Sequence, residues 1–431
     1  MALLGWTLSV AMLTCAHGAQ DVRNGKDVQD ARNSKEGTGM KKIGFSGTLD
    51  PITNGHMWVI GEARAMAGEV VVFLSENTLK KPWFSAEQRK HIIEQSTAER
   101  GWHNVQVQIV RGSYTAHTAK RAGCDYLIRG IRNTADFDYE NLIQQTNVDV
   151  LHGAKSIFVM PPRDLGSVSS SFVRALQGPV GWHWHVRKFV PPPAYDAWLR
   201  LWLQQEWQQL WPDVDPVQSD ALLAQLLGKA HYGAPERHYH NLDHLVHGLS
   251  ELRVWAAYHE CSEAELVQLK KAFWFHDAHY HTGAGGPSDE EASALCWLAS
   301  DLAKGDGSAA AALDAACVAD LIRATDHFQE AGVAHPLKQV MLGADLAILG
   351  QDETIYDAYA QAIRLEYQSV PDATFIEHRC RALSHLCQRA EQGQLYRDPY
   401  FSELYNQMAL ENMRREIRQW QTPGAAYAAP A

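Results

Sequence analysis

The chain has 431 residues, room for two or three domains of roughly 150 residues, and its 46% apolar and 21% charged content excludes a mainly disordered protein. No apolar run reaches the 18 or so residues of a membrane-spanning helix. The seven cysteines, odd in number and without a C-x-x-C pair, argue against a disulfide framework or a structural zinc module. The net charge of −11 is unevenly spread, +5 over residues 40–192 and −16 over 193–431; the basic half suits an anionic small substrate, and the acidic half argues against nucleic acid as a partner.

Residues 1–16 are apolar and lead to Ala16-His17-Gly18, which a signal peptidase could accept, yet no Lys or Arg precedes the run. Residues 19–39 are polar, with no period that buries a face. Met40-Lys41-Lys42 then opens a buried-strand pattern. Residues 1–39 are therefore expected to be an over-long start or a disordered extension rather than a signal.

Short apolar runs at Ile43–Gly47, Val70–Leu74, Val105–Val110, Tyr126–Ile128 and Ser156–Met160 read as strands, with helical stretches between them. The first of these helices, Asn54–Ala67, has Met57, Ile60 and Ala63 on one face. The alternation predicts a parallel α/β sheet covered on both faces, with ligands beyond the carboxyl ends of its strands. There the first strand ends in Gly47-Thr48-Leu49-Asp50-Pro51-Ile52-Thr53-Asn54-Gly55-His56. Thr53 or Asn54 can cap the helix and place His56 in its first turn, where free N–H groups favour phosphate. Arg129 and Arg132 flank a strand-end glycine, as a phosphate clamp requires, or form salt bridges with the acidic Asp136–Glu140 stretch. Val168 to Arg174 is a serine-rich helix start, and Lys80-Lys81 puts two cations on a loop.

Pro191–Pro193 closes this pattern, and Trp198, Trp202, Trp207 and Trp211 follow at helical spacing, as core or interface filler. Helical periodicity then covers 217–231, 241–259, 263–280, 289–304, 309–326, 353–369 and 373–391, so the second domain is expected to be all-α. Nine of the 21 histidines lie between His231 and His281. His240 and His244, four residues apart, project from one helix face, and His276-Asp277 lies on the next long helix. Imidazole with carboxylate suits Mn²⁺, Fe²⁺ or Co²⁺, and Mg²⁺ where carboxylates and water dominate.

GTLDPITNGH, LKKPWF, LIRGIRNTADFDYE and VSSSFVR, in this order and spacing over about residues 40–202, closely resemble the bacterial phosphopantetheine adenylyltransferases, nucleotidyltransferases with a T/H-x-G-H signature. The resemblance implies a Rossmann-like domain over 40–199 that transfers an adenylyl group from ATP to 4′-phosphopantetheine, with Mg²⁺ accompanying the ATP and a cytoplasmic location. It implies that His56 stabilises the transferring phosphoryl group and that Lys80 and Arg129 hold the acceptor phosphate. Thr48 would bind both substrates, and Thr115 would join the acceptor site. Leu49, Gly130, Ile131, Arg132, Glu140, Leu165, Gly166, Ser167, Val168, Ser169, Ser170 and Ser171 would join His56 around ATP. Leu49, Leu165 and His117 depart from the family's usual Phe, Trp and Asp or Asn. The family commonly forms hexamers, which makes a homo-oligomer one expectation.

RHYHNLDHL, FHDAHY, ATDHF, GADLAILG and YDAYAQAIRLEY, over about 200–420, resemble a branch of HD-domain metal-dependent phosphohydrolases with the signature H…HD…D. That resemblance implies a divalent metal held by His240, His276, Asp277 and Asp345, acting on a phosphorylated small molecule. Arg237 and His244 would grip the substrate phosphate, and Glu290, Glu291 or His327 would orient the water or hold a second metal. The branch's usual N-E-E reads Asp289-Glu290-Glu291, after a Gly-rich insert. A second expectation makes the helical domain a regulatory module that binds a nucleotide or phosphate without turnover. Residues 421–431 are expected to be a disordered tail.

Overall fold

The computed structural model describes residues 40–76, 81–124, 126–281, 287–327 and 334–422. Expectations for residues 1–39, for Lys80, for 283–286 of the Gly-rich insert and for 423–431 lie outside the described residues.

Five parallel strands, β1 (Met40–Gly47), β2 (Ala67–Ser75), β3 (Val105–Val110), β4 (Tyr126–Gly130) and β5 (Lys155–Val159), form one sheet in the order β3-β2-β1-β4-β5. The expected strands are all present, shifted by a few residues at their ends. Val70 to Leu74 are buried throughout, as a strand covered on both faces requires. Crossovers run through α1 (Asn54–Met66), α2 (Ala86–Glu99), α3 (Thr115–Arg121) and α4 (Thr134–Gln145). Met57, Ile60 and Ala63 of α1 face the sheet and are buried, as their spacing predicts. The strand order reverses between β1 and β4, so the crevice at their carboxyl ends is the topological switch point where such sheets bind ligands. Ile43 of β1 pairs with Val70 on one side and Tyr126 on the other, which brings the loops after Gly47 and Arg129 to the same edge.

After β5 come the short helices α5 (Ser170–Ala175) and α6 (Trp182–Arg187), then α7 (Pro192–Leu210). The domain boundary expected at 199 falls inside α7. Trp198, Trp202 and Trp207 of that helix are buried, and Trp182–Trp198 and Trp207–Trp274 ring contacts of 5.7 and 5.0 Å continue the core from sheet to helices. The tryptophans are interface filler, as their spacing suggests.

The remainder is helical: α8 (Pro216–Leu226), α9 (Leu242–Tyr258), α10 (Glu263–Phe275), α11 (Asp289–Ala299), α12 (Asp301–Lys304), α13 (Ala309–Arg323), α14 (Lys338–Leu346), α15 (Glu353–Glu366), α16 (Asp372–Glu391) and α17 (Pro399–Gln421). The fold is thus a five-stranded parallel α/β domain followed by a largely helical region. The periodicity reading omits α14 and α17 and carries α10 to 280, whereas the helix stops at Phe275 with His276 as its C-cap. His240 likewise lies outside a helix, because Asn241 caps α9 through its side chain on the Asp243 N–H. Among the described residues no helix is long and apolar enough to cross a membrane.

Candidate functional site

The switch-point crevice holds a cavity of about 900 Å³ lined by the loop after β1, the first turn of α1, the end of β4 and the start of α5. Thr53 caps α1 in a reciprocal capping box whose third residue is His56. The Thr53 N–H donates to His56 Nδ1 at 3.1 Å, and the Thr53 hydroxyl lies 2.9 Å from the same nitrogen. Nδ1 is therefore an acceptor, which leaves the proton on Nε2 as a donor. Burial, reinforced by the positive charge of Arg132, lowers the His56 pKa to about 4. His56 is thus a neutral hydrogen-bond donor near pH 7. A Cβ on Gly55 would stand 3.0 Å from the Val168 carbonyl, so glycine lets this turn approach the loop before α5.

Arg129 donates from Nη1 to the Ser46 carbonyl at 2.7 Å, and its Nε lies 3.4 Å from Glu140. Arg132 makes a bidentate pair with Asp136 at 2.6 and 3.0 Å. The salt-bridge reading and the anion-clamp reading are therefore compatible: both arginines are braced by carboxylates, and both line the cavity. Ser169 caps α5 by accepting the Phe172 N–H, and Ser170 donates to the Pro51 carbonyl at 2.8 Å, joining the serine-rich start to the first loop.

Thr48, Leu49, His56, Arg129, Gly130, Arg132, Glu140, Leu165, Val168, Ser169, Ser170 and Ser171 line the cavity. Four expected positions fall outside that lining. Ile131 is buried, with its N–H on the Val159 carbonyl; Gly166 and Ser167 sit in the turn behind Leu165. Thr115 pairs with Ser75 at 3.2 Å, because α3 packs behind β2. Lys80 lies outside the described residues, while its neighbour Lys81 is at the wall. Asp50, Arg89 and Arg174, not among the expected site residues, also line the cavity. Their signal was present, since Asp50 sits within the phosphate loop and Arg174 ends VSSSFVR.

The cytidylyltransferase-like family matches residues 45–176. The phosphopantetheine adenylyltransferase of Chromobacterium violaceum is 32% identical over 166 residues, covering all of that protein and 38% of this chain. Those of Lacticaseibacillus paracasei and of Neisseria meningitidis (serogroup C) are 37% and 30% identical, covering 92% and 90% of their lengths and 36% of this chain. This chain belongs to the phosphopantetheine adenylyltransferase family. The membership rests on the α/β domain, and the helical region extends beyond the relatives' length.

A second cluster lies in the helical region. His244 Nε2 stands 3.0 Å from His276 Nε2, 3.4 Å from Asp277 Oδ2 and 3.3 Å from Asp345 Oδ1. His276 Nε2 is 3.1 Å from Asp277 and 3.4 Å from Asp345. The His276 Nδ1 is 2.9 Å from the Phe273 carbonyl, which keeps one proton on Nδ1 and aims Nε2 at the cluster. Burial opposes its charge, yet Asp277 and Asp345 hold the His276 pKa well above its ordinary value, so a cation entering here would displace the Nε2 proton. Burial opposes ionisation of Asp277 and Asp345, yet the facing imidazoles hold both well below the usual carboxylate range. Two imidazoles and two carboxylates with ligand atoms this close fit a divalent cation.

The arrangement reassigns several expected residues. His244, not His240, joins His276 and Asp277, with Asp345 close to both imidazoles, because α9 begins only after His240 and only His244 points from its first turn. His240 stands beside the cluster with Nδ1 on Glu366 at 2.7 Å and its ring stacked 4.0 Å from Tyr280. Arg237 is buried and donates to the carbonyls of Asp277, Ala278 and His240, which commits it to holding the His276-Asp277 turn rather than a phosphate. Glu291 pairs with Arg323 through both oxygens, and His327 lies 2.8 Å from the outer oxygen of Asp345. Glu290 is half-buried in the first turn of α11. Glu366 was not read from the sequence; 126 residues separate it from His240.

Proposed function

We propose that the α/β domain transfers an adenylyl group from ATP to 4′-phosphopantetheine, a step of coenzyme A synthesis. The observation that carries it is the cavity in which His56, Arg129, Arg132 and the start of α5 converge at the switch point of a family member. An acceptor phosphate oxygen attacks the α-phosphorus of ATP in line, the bond to the bridging β-oxygen breaks, and pyrophosphate leaves. No protein nucleophile is needed. The neutral His56 donates from Nε2 to a phosphoryl oxygen as its charge grows, Arg129 holds the acceptor phosphate with Lys80, and Arg132 and the serine-rich turn hold the ATP phosphates, with which Mg²⁺ enters. Pyrophosphate release by the full chain from ATP plus phosphopantetheine tests this. A folded, ATP-binding protein that releases none would sink the reading and point to Leu49 and Leu165 as marks of a different acceptor.

For the helical region we propose a metal-dependent phosphohydrolase, supported by the convergence of His244, His276, Asp277 and Asp345. A divalent cation held by these four would supply a Lewis acid that lowers the pKa of water. His327 orients Asp345, and His240, aligned by Glu366, is placed to give a proton to a leaving oxygen. The contacts of α9 with α6 and α7, through Asp243 on Tyr195 and His247 on Trp184, favour the regulatory alternative as a second reading. Release of phosphate from nucleotides or coenzyme A intermediates with Mn²⁺, Mg²⁺, Co²⁺ or Fe²⁺ supports the hydrolase. Ligand binding without turnover, accompanied by a change in adenylyl transfer, supports the sensor.

A further inference from the structure

We propose that Asp50 is a positioning residue of the adenylyl-transfer site, locking the lysine-bearing loop onto the phosphate loop; this rests on the adenylyltransferase reading above. Asp50 is 3% exposed although it borders the cavity. Its carboxylate accepts the N–H groups of Trp83 and Phe84 at 2.9 and 3.1 Å and Nη1 of Arg174 at 3.0 Å. Arg89, also buried, closes the other side by donating to the carbonyls of Phe84 at 3.1 Å and Thr48 at 2.5 Å.

A bare carboxylate on the wall of a phosphate site would repel the substrate. Here the charge is spent on protein donors, so Asp50 acts through the segments it joins rather than on the phosphates. Those segments are the turn bearing Thr48, the loop whose Lys81 reaches the cavity two residues before Trp83, and α5, which bears Arg174. A lysine on a four-carbon stem is a useful phosphate ligand only when its backbone is held in place. Arg174 also lies over the Trp83 ring at 5.5 Å, which fixes the same loop from its apolar side. The serine-rich turn has an independent anchor in the Ser170–Pro51 bond, so the ATP side depends less on Asp50.

The test uses the full chain with Asp50→Asn and Arg174→Met. Losing charged hydrogen bonds at the anchor should raise the KM for phosphopantetheine roughly 10- to 100-fold and lower kcat, while the KM for ATP changes by less than about threefold. Arg174→Met, which leaves Asp50 charged at the cavity wall, should weaken both substrates. The double variant should resemble Asp50→Asn rather than the product of the two effects. Amide exchange supplies a readout independent of turnover: Trp83 and Phe84 should exchange faster in Asp50→Asn, with β1 and β2 unchanged. A lower kcat with both KM values unaltered, or unchanged exchange at Trp83 and Phe84, overturns the proposal. A wild-type chain that releases no pyrophosphate defeats the adenylyltransferase reading instead, and the exchange result still decides whether Asp50 anchors the loop.

Discussion

The proton of His56 is placed by one backbone bond: with the Thr53 N–H on Nδ1, only Nε2 can donate. Its folded pKa of about 4 lies below the unfolded value, so the imidazole is neutral across the physiological range and gains a proton only as the pH falls toward 4. A proton NMR titration should show one histidine with that midpoint, absent in His56→Ala. The same variant should lose a factor on the order of 10²–10³ in kcat, the usual cost of removing a donor from a developing oxyanion, and leave metal binding in the helical region intact. At the second cluster, Asp277→Ala should abolish tight metal binding, measured by metal content after gel filtration. His240→Ala should keep the metal and lose phosphate release, because Glu366 and not the ligand set holds His240. Equal metal loss in both variants would put His240 back among the ligands. The residue types of both sites were legible in the sequence. The choice between His240 and His244 was not, since i, i+4 spacing selects one face only if both residues are helical, and the Asn241 cap falls between them.

Helix ends, more than helix interiors, build both sites. His56 stands at the third position of α1 and His276 at the C-cap of α10, where the chain turns and lets Asp277 swing toward the same centre. The strands were readable because each is a short apolar run between turn residues. The long α17 lies outside the helical periodicity, although Asp398 before Pro399 is a strong start signal and its side chain accepts two N–H groups there. Packing between α9 and α10 supplies a further prediction. A Cβ on Gly248 would lie 1.8 Å from Cζ of Phe273, three residues before His276. Alanine in a helix usually gains about 1 kcal/mol over glycine, but overpacking against a buried aromatic ring costs about 1–3 kcal/mol, and a clash this close belongs at the upper end. Gly248→Ala should therefore lower stability in denaturant unfolding. A stabilised variant would mean that α9 and α10 are free to separate.

The two halves share one apolar core, and the seam between α6 and α9 contains a histidine with no polar partner among the described residues. His183 is fully buried, neither ring nitrogen has a hydrogen-bond partner among the described residues, and its ring lies 6.3 Å from that of His247. Burial first, then the charges of His247, Arg187 and His185, hold its pKa well below the ordinary value. A depressed histidine pKa means that the unfolded chain binds the proton more readily. The seam keeps its full stability above about pH 6.5 and loses it as pH falls from there toward the folded value. His244 and His276, whose pKa values are raised, act with the opposite sign, so the His183 contribution is read as a difference: between about pH 7.5 and 5.5 His183→Phe should lose less melting temperature than the parent chain, and an equal change in both proteins would clear His183. The sequence by itself determined the alternation of strands and helices, the phosphate-handling loop and the residue types of two sites, because these depend on local periodicity, caps and turns. Tertiary structure alone decided that Arg237 holds backbone carbonyls, that Glu366 reaches His240, and that Asp50, Arg89 and Arg174 brace the first site. Each of those bonds joins backbone or side chains carried by different segments, and only the packed sheet and helices bring them within hydrogen-bonding distance.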